Sequence, residues 1–372
     1  MRFDGFDGEW EEYRFNDITK LSQGLQIPID ERYLQPSDDT YFYITNEFLK
    51  PGSKKHYYIK NPNKSVIANK DDILMTRTGN TGKVLTDVEG AFHNNFFKIA
   101  YDNSSISKYY LFYLLNSGVV QNKILRLAGS STILDLNHKD FYSIASSFPS
   151  LKEQGKIGKI FKSLDSLIEI QEDKVSKMED FKKSMLQKML PKKGELVPDF
   201  RFDGFDGEWE EKIVGDLLDY EQPTKYIVSS EEYYETGIPV LTANKSFILG
   251  YTDEKNIYNK GEVVLFDDFT QDMKYVNFPF MVKSSALKIL TEKNSNLFFM
   301  FNLLSNINLI NEGHKRHYIS VVQNTNVVIP SLEEQAKIGQ FFKNLDTQIE
   351  NEEKLLESYK MMKKSLLQKM FV

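Results

Sequence analysis

Cysteine is absent from the 372 residues. Without a thiol there is no disulfide framework, no thiolate metal site and no cysteine nucleophile. No stretch reaches the roughly 18 consecutive apolar residues of a membrane span. Residues 1–12 are acidic and aromatic, unlike a secretory signal. The expectation is a cytoplasmic protein with no membrane partner. A strong charge of one sign is missing too, since the net charge is −6. Residues 1–12 carry one arginine against five acids, and residues 201–211 repeat that balance. Residues 13–148 hold 16 basic and 13 acidic side chains (+3), and residues 212–329 hold 11 and 14 (−3). Neither stretch has the basic excess that by itself marks a DNA binder.

What the chain has is repetition, and repeats decide architecture. The segment RFDGFDGEWEE at residues 2–12 recurs unchanged at 201–211, an offset of 199. A longer segment, residues 149–190, matches residues 330–371 at an offset of 181, with 22 of 42 positions identical. Between them lie two unlike stretches, 13–148 and 212–329. The repeated parts therefore share a structural task, and the unlike parts do something that differs between the halves.

Each long repeat reads as a single helix. Ser150 with Glu153, and Ser331 with Glu334, have the S-x-x-E spacing of a capping box. Apolar residues follow at alternating steps of four and three: Ile157, Phe161, Leu164, Ile168, Val175 and Met178 in the first copy. The second copy has Ile338, Phe342, Leu345, Ile349, Leu356 and Tyr359. Both stripes are interrupted by polar residues at the same two places, Gln171/Glu352 and Lys182/Lys363. A 3.5-residue period keeps one stripe facing a partner helix, so the two helices are expected to pair as a coiled coil. About 40 residues at 1.5 Å each give a rod of roughly 60 Å.

The unlike stretches read as mixed α/β heads. In the first, residues 71–76 (DDILMT) form a buried strand entering a glycine-rich turn, residues 76–83. In the second, residues 261–266 (GEVVLF) are expected in the corresponding place. Apolar helices follow at 109–117 and 298–306. The chain thus divides into a first head (1–148), a helix (149–193), a second head (194–329) and a final helix (330–372).

Catalytic signatures fail on spacing. Gly79, Gly82 and Lys83 lack the remainder of a phosphate loop and read as a hairpin turn. No G-x-G-x-x-G follows a strand, and no Asn/Asp-Pro-Pro-aromatic stretch is present. Asp199, Glu210 and Lys212 fit a nuclease-like P-D…E-x-K pattern, but the other copy has Tyr13 in place of the lysine and no preceding Pro-Asp. His314 and His317 flank Lys315 and Arg316 and read as a basic loop rather than a metal site. Trp10 and Trp209 are expected to dock the start of each head on a helix.

The order F-x-G-F-x-G-x-W-E-E before each variable stretch (3–12 and 202–211), with P-x-L-x-E-Q-x-K-I-G opening each long helix (149–158 and 330–339), resembles type I restriction specificity subunits. The resemblance covers nearly the whole chain in order and occurs twice. It implies two target-recognition domains, each reading one half of a bipartite, asymmetric site on double-stranded DNA. It implies an antiparallel coiled coil that sets the unread gap and docks two methyltransferase subunits. S-adenosylmethionine would sit on those subunits, and ATP and Mg²⁺ on restriction/motor subunits, with no cofactor, metal or catalytic residue in this chain. The family has no shared base-reading motif, so candidate DNA contacts rest on residue type in polar loops. They are Arg77, Thr78, Asn80, Lys83 and Ser131 in the first head, and Lys225, Tyr226, Lys245, Lys274, Lys315 and Arg316 in the second. The alternative is a tandem coiled-coil scaffold that does not touch DNA.

Overall fold

A computed structural model of the chain describes residues 2–50, 52–129, 134–242, 246–307 and 317–371. The chain forms two compact units, Met1–Glu172 with Leu355–Val372, and Asp173–Lys354. They are called units 1 and 2 below.

Unit 1 opens with strand β1 (Glu11–Arg14), one helical turn α1 (Phe15–Ile18) and strand β2 (Thr19–Gln23). Strands β3 (Thr40–Ile44), β4 (Tyr57–Lys60), β5 (Ile67–Ala68), β6 (Ile73–Thr76), β7 (Val84–Leu85), β8 (Gly90–Phe92) and β9 (Phe96–Tyr101) follow. Helices α2 (Lys108–Leu115), α3 (Gly118–Leu127) and α4 (His138–Ser143) lead to strand β10 (Ala145–Phe148) and the long helix α5 (Leu151–Met189). The strands make sheets of order β2-β9-β6-β7 and β4-β3-β8-β5, and β1 pairs with β10. All four residues of β6 are buried, as its unbroken apolar run requires. Ile73 and Met75 face the main core with Phe97, Tyr110 and Phe161, and Leu74 faces a second cluster with Ile44 and Phe92.

Unit 2 repeats this plan with different residues. Its elements are β11 (Glu210–Ile213), α6 (Val214–Leu217), β12 (Leu218–Glu221), β13 (Ile238–Leu241), β14 (Ile248–Thr252), β15 (Val263–Asp267), β16 (Met273–Val276), β17 (Met281–Val282) and β18 (Leu287–Glu292). Helices α7 (Leu297–Asn306) and α8 (His317–Ser320), strand β19 (Asn326–Ile329) and the long helix α9 (Leu332–Met370) complete it. The sheet orders are β12-β18-β15-β16 and β14-β13-β17, with β11 paired to β19.

Within unit 1 the start of α5 runs antiparallel to the end of α9: Phe161 stacks on Phe371 at 5.8 Å, and Asp165 meets Lys363 at 2.5 Å. Within unit 2 Lys182 meets Asp346 at 2.5 Å and Lys174 meets Glu352 at 2.7 Å, again antiparallel. Asp165 and Asp346 are counterparts at the offset of 181, so the lysines that interrupt the two stripes find matching acids on the facing helix. Along the stripes Ile157, Phe161, Leu164, Val175, Ile338, Phe342, Leu345 and Ile349 are buried, and Ile168, Met178, Leu356 and Tyr359 are half-buried.

The repeats lock together inside each unit. Arg2 donates to both carboxylate oxygens of Glu153, at 2.9 and 2.8 Å, and Arg201 does the same to Glu334, at 2.7 and 2.7 Å. The serine half of each capping box holds, with Ser150 and Ser331 accepting from the amides of Glu153 and Glu334. The glutamate half does not form as expected, because the arginine takes the carboxylate. Gln154 and Gln335 instead accept the amides of Ser107 and Asn296 just before α2 and α7. Trp10 and Trp209 pack edge-on against Tyr110 and Phe299, the docking role expected of them.

Gly158 and Gly339 let α5 and α9 lie against α2 and α7. A Cβ on Gly158 would sit 2.8 Å from Tyr109 Cβ and from the Tyr110 amide nitrogen. Gly155, one turn earlier, has nothing within 4 Å of such a Cβ, and its counterpart in the second copy is Ala336. The two glycines should therefore respond with opposite signs. Gly155→Ala is expected to stabilise unit 1 by about 0.8–1 kcal/mol through helix propensity. Gly158→Ala is expected to destabilise it by about 1–3 kcal/mol through overpacking. Amide exchange across α2 and α5 in the two variants checks this.

Candidate nucleic-acid interface

The glycine-rich turn of the first head is a hairpin tip joining β6 to β7, with Met75 opposite Val84. It is tied down from several sides. The Thr76 hydroxyl donates to the Asn80 carbonyl and accepts from the Lys83 amide, at 2.5 and 2.9 Å. Thr81 donates to the carbonyls of Arg77 and Leu134, at 3.0 and 2.8 Å. Asn46 donates to the Thr78 carbonyl, and Gln121 of α3 to that of Gly82. These bonds brace the turn, and Gly79, Asn80, Thr81, Lys83, Leu125 and Leu134 line an open depression on it together with Gln121.

The structure brings four of the first-head candidates, Arg77, Thr78, Asn80 and Lys83, to this one turn. Their states differ. The Arg77 guanidinium pairs with Asp135 at 2.7 Å and lies over the Phe97 ring, so it braces the base of the turn. Lys83 is exposed and donates to the Leu49 carbonyl at 3.2 Å. The Asn80 side chain is exposed, and its backbone is left-handed at φ 76°. Ser131 lies outside the described residues.

In unit 2 the corresponding hairpin joins β15 to β16, and this is the feature that residue type alone missed. The registers set Met75 opposite Phe97 in unit 1 and Phe266 opposite Lys288 in unit 2. On that correspondence Asp268 stands where Arg77 does, and Lys288 where Phe97 does. Asp268 and Lys288 pair at 3.3 Å with both side chains at most 2% exposed. Asp268 also accepts the Tyr318 amide at 2.9 Å, and Lys288 donates to the Ser285 carbonyl and Gln222. Asp267 holds the tip by accepting the amides of Phe269 and Thr270, leaving Phe269 44% exposed. At this one position a cation stands in one head and an anion in the other, each paired with an opposite charge, and the two tips present different side chains. The signal in the sequence was the turn-forming run DDFTQD directly after the apolar strand.

Of the second-head candidates, Lys274 lies exposed on β16 and Lys225 is exposed on a single turn after β12. Tyr226 is a correction. It is buried in a core cluster with Tyr258 and Val263, and its hydroxyl donates to Glu221 at 2.9 Å, so it faces the interior. Lys260 lies over the Tyr226 and Tyr258 rings, its ammonium pushed up by hydrogen bonds to Tyr226 and Glu221. Lys245, Lys315 and Arg316 lie outside the described residues, as does His314.

The nuclease-like residues do not converge. Asp199 pairs with Lys192 at 2.7 Å, and Glu210 with Lys212 at 2.9 Å. Among the described residues no group of three or more His, Cys, Asp or Glu side chains is placed to hold a metal ion. No described helix is long and apolar enough to cross a membrane.

Residues 7–179 and 206–360 each match the family model described as the type I restriction modification DNA specificity domain. Residues of this chain are 42% identical over 138 positions to the EcoR124I/EcoR124II specificity subunit of Escherichia coli, a type I restriction enzyme. That match takes in 34% of this chain and 33% of the relative, so it spans about a third of that protein. The MjaVIII specificity subunit of Methanocaldococcus jannaschii is 24% identical, with 96% of this chain and 91% of the relative aligned. In fold the chain is similar to the crystal structure of a type I restriction-modification S subunit from M. genitalium, with a TM-score of 0.71 at 17% identity. All of this chain and 97% of that one are covered.

Proposed function

Because the chain belongs to the type I restriction modification DNA specificity family, we propose that its two heads each read one half of a bipartite, asymmetric DNA site. The observation that carries this is one four-stranded order, β2-β9-β6-β7 and β12-β18-β15-β16, built twice from unlike sequences, with a hairpin whose side chains differ between the copies. A shared frame holding different tips is what two different half-sites require. Base-edge contacts carry the sequence information, while phosphate contacts only position the protein.

On this proposal the chain carries no catalytic centre. Adenine methylation with S-adenosylmethionine belongs to two modification subunits docked on the repeated helices, which also set the unread gap. ATP and Mg²⁺ belong to the restriction/motor subunits. Two equivalent docking places are supported by Phe181 and Met362, counterparts at the offset of 181, which are 50% and 52% exposed. The small charges of the heads, +3 and −3, fit DNA clamped jointly with partners rather than gripped by this chain alone.

Methylome sequencing of a host with and without this chain tests the proposal. The expected result is the loss of a bipartite adenine mark. If no mark is lost and the chain with its partners shows no sequence-selective duplex binding, the scaffold reading replaces this one. Methyl transfer from labelled S-adenosylmethionine by the purified chain alone would overturn the non-catalytic assignment.

A further inference from the structure

Resting on that reading, we infer that Asn80 reads an A·T base pair in the half-site of the first head. Several other polar groups on the tip are already engaged. Arg77 is held by Asp135, Thr76 and Thr81 by backbone carbonyls, Lys83 by the Leu49 carbonyl, and the Thr78 and Gly82 carbonyls by Asn46 and Gln121. The Asn80 carboxamide has no hydrogen-bond partner among the described residues, and it is exposed at the rim of the depression. It offers one donor and one acceptor side by side on a turn whose backbone is fixed, so little freedom is lost when it binds.

That pairing of donor and acceptor selects the base. Adenine presents an acceptor at N7 and a donor at N6 in the major groove, which a carboxamide matches with two hydrogen bonds. Guanine presents two acceptors there, leaving the Asn80 Oδ1 unmatched. Leu125, 43% exposed, lines the same depression and supplies the apolar contact that a thymine methyl group favours.

Asparagine also suits a left-handed turn position without any role in binding. Substitution separates the two roles. Glycine takes φ 76° without strain, and aspartate tolerates it, so Asn80→Gly and Asn80→Asp both keep the tip. The chain and both variants are expressed with a modification subunit and the methylated sites are mapped genome-wide. Purified complexes are also titrated with duplexes carrying each base pair at every position of the site. Asn80→Gly is expected to relax one A·T position of one half-site, with discrimination there falling roughly tenfold or more, while the other half-site is unchanged. Asn80→Asp is expected to move the preference at that position toward C·G, because a carboxylate accepts from cytosine N4. Full retention of the original motif by Asn80→Gly would overturn the inference, as would relaxation at a G·C pair. So would uniform loss of binding to all duplexes with unit 1 amide protection intact. Absence of any bipartite mark with the unaltered chain contradicts the proposed function instead.

Discussion

Replacing Lys288 with methionine is expected to destabilise unit 2 by about 3–5 kcal/mol, the cost of breaking a buried ion pair by removing one member. Lys288 and Asp268 are 1% and 2% exposed, 3.3 Å apart. Asp268 also holds the Tyr318 amide, so its carboxylate cannot swing to solvent without releasing α8. The variant Lys288→Met/Asp268→Asn keeps an acceptor for Tyr318 and removes the buried negative charge. It should therefore cost less than Lys288→Met alone, although it changes one more residue. Because two units need not unfold together, the measurement is native-state amide exchange in β15 and β18. If the double variant is as unstable as the sum of its single changes, the pair does not hold this corner. The hairpin tip is built on that corner, so the same variant should blur the second half-site before it abolishes folding.

The second large effect falls on the clamp between repeats. Arg201→Ala is expected to cost unit 2 about 2–3 kcal/mol, less than for a fully buried pair because water reaches the arginine side. Glu334 is 1% exposed while Arg201 is 15% exposed. The parallel change Arg2→Ala in unit 1 should cost less, since Arg2 is 32% exposed against the same 1% for Glu153. Arg201→Lys should not restore stability, because an ammonium cannot engage both carboxylate oxygens in the fork that the guanidinium forms. Exchange of the first-turn amides of α9 reports the clamp directly. Equal stability of the lysine variant and the parent would show that charge alone, not two-point geometry, does the holding.

The sequence carried the large plan because periodicity and repetition are local properties. The stripes from Ile157 and Ile338 needed only a helical repeat to be seen, and the helices span Leu151–Met189 and Leu332–Met370. The strand in DDILMT and its following turn were legible from an apolar run meeting glycines. What stayed hidden depends on contacts distant in sequence. The Arg2–Glu153 clamp joins residues 151 positions apart, although the same arginine and glutamate in both copies were a signal. Lys288 and Asp268 look like ordinary surface charges until the β15–β18 register places them together. Tyr226 followed Pro223, Thr224 and Lys225 and so resembled a polar loop, yet its ring fills the space beneath Lys260. Met370 and Phe371 close the core of unit 1, a destination no local pattern reveals.

The central claim is that each head reads its own half-site while the repeats only hold and space them. The most direct measurement exchanges residues 13–148 for the corresponding head of a relative with a different target, then maps methylated sites genome-wide alongside the parent chain. One half of the bipartite motif is predicted to change to the donor's half, with the other half and the gap between them retained. A change in both halves, or in neither, would contradict the account.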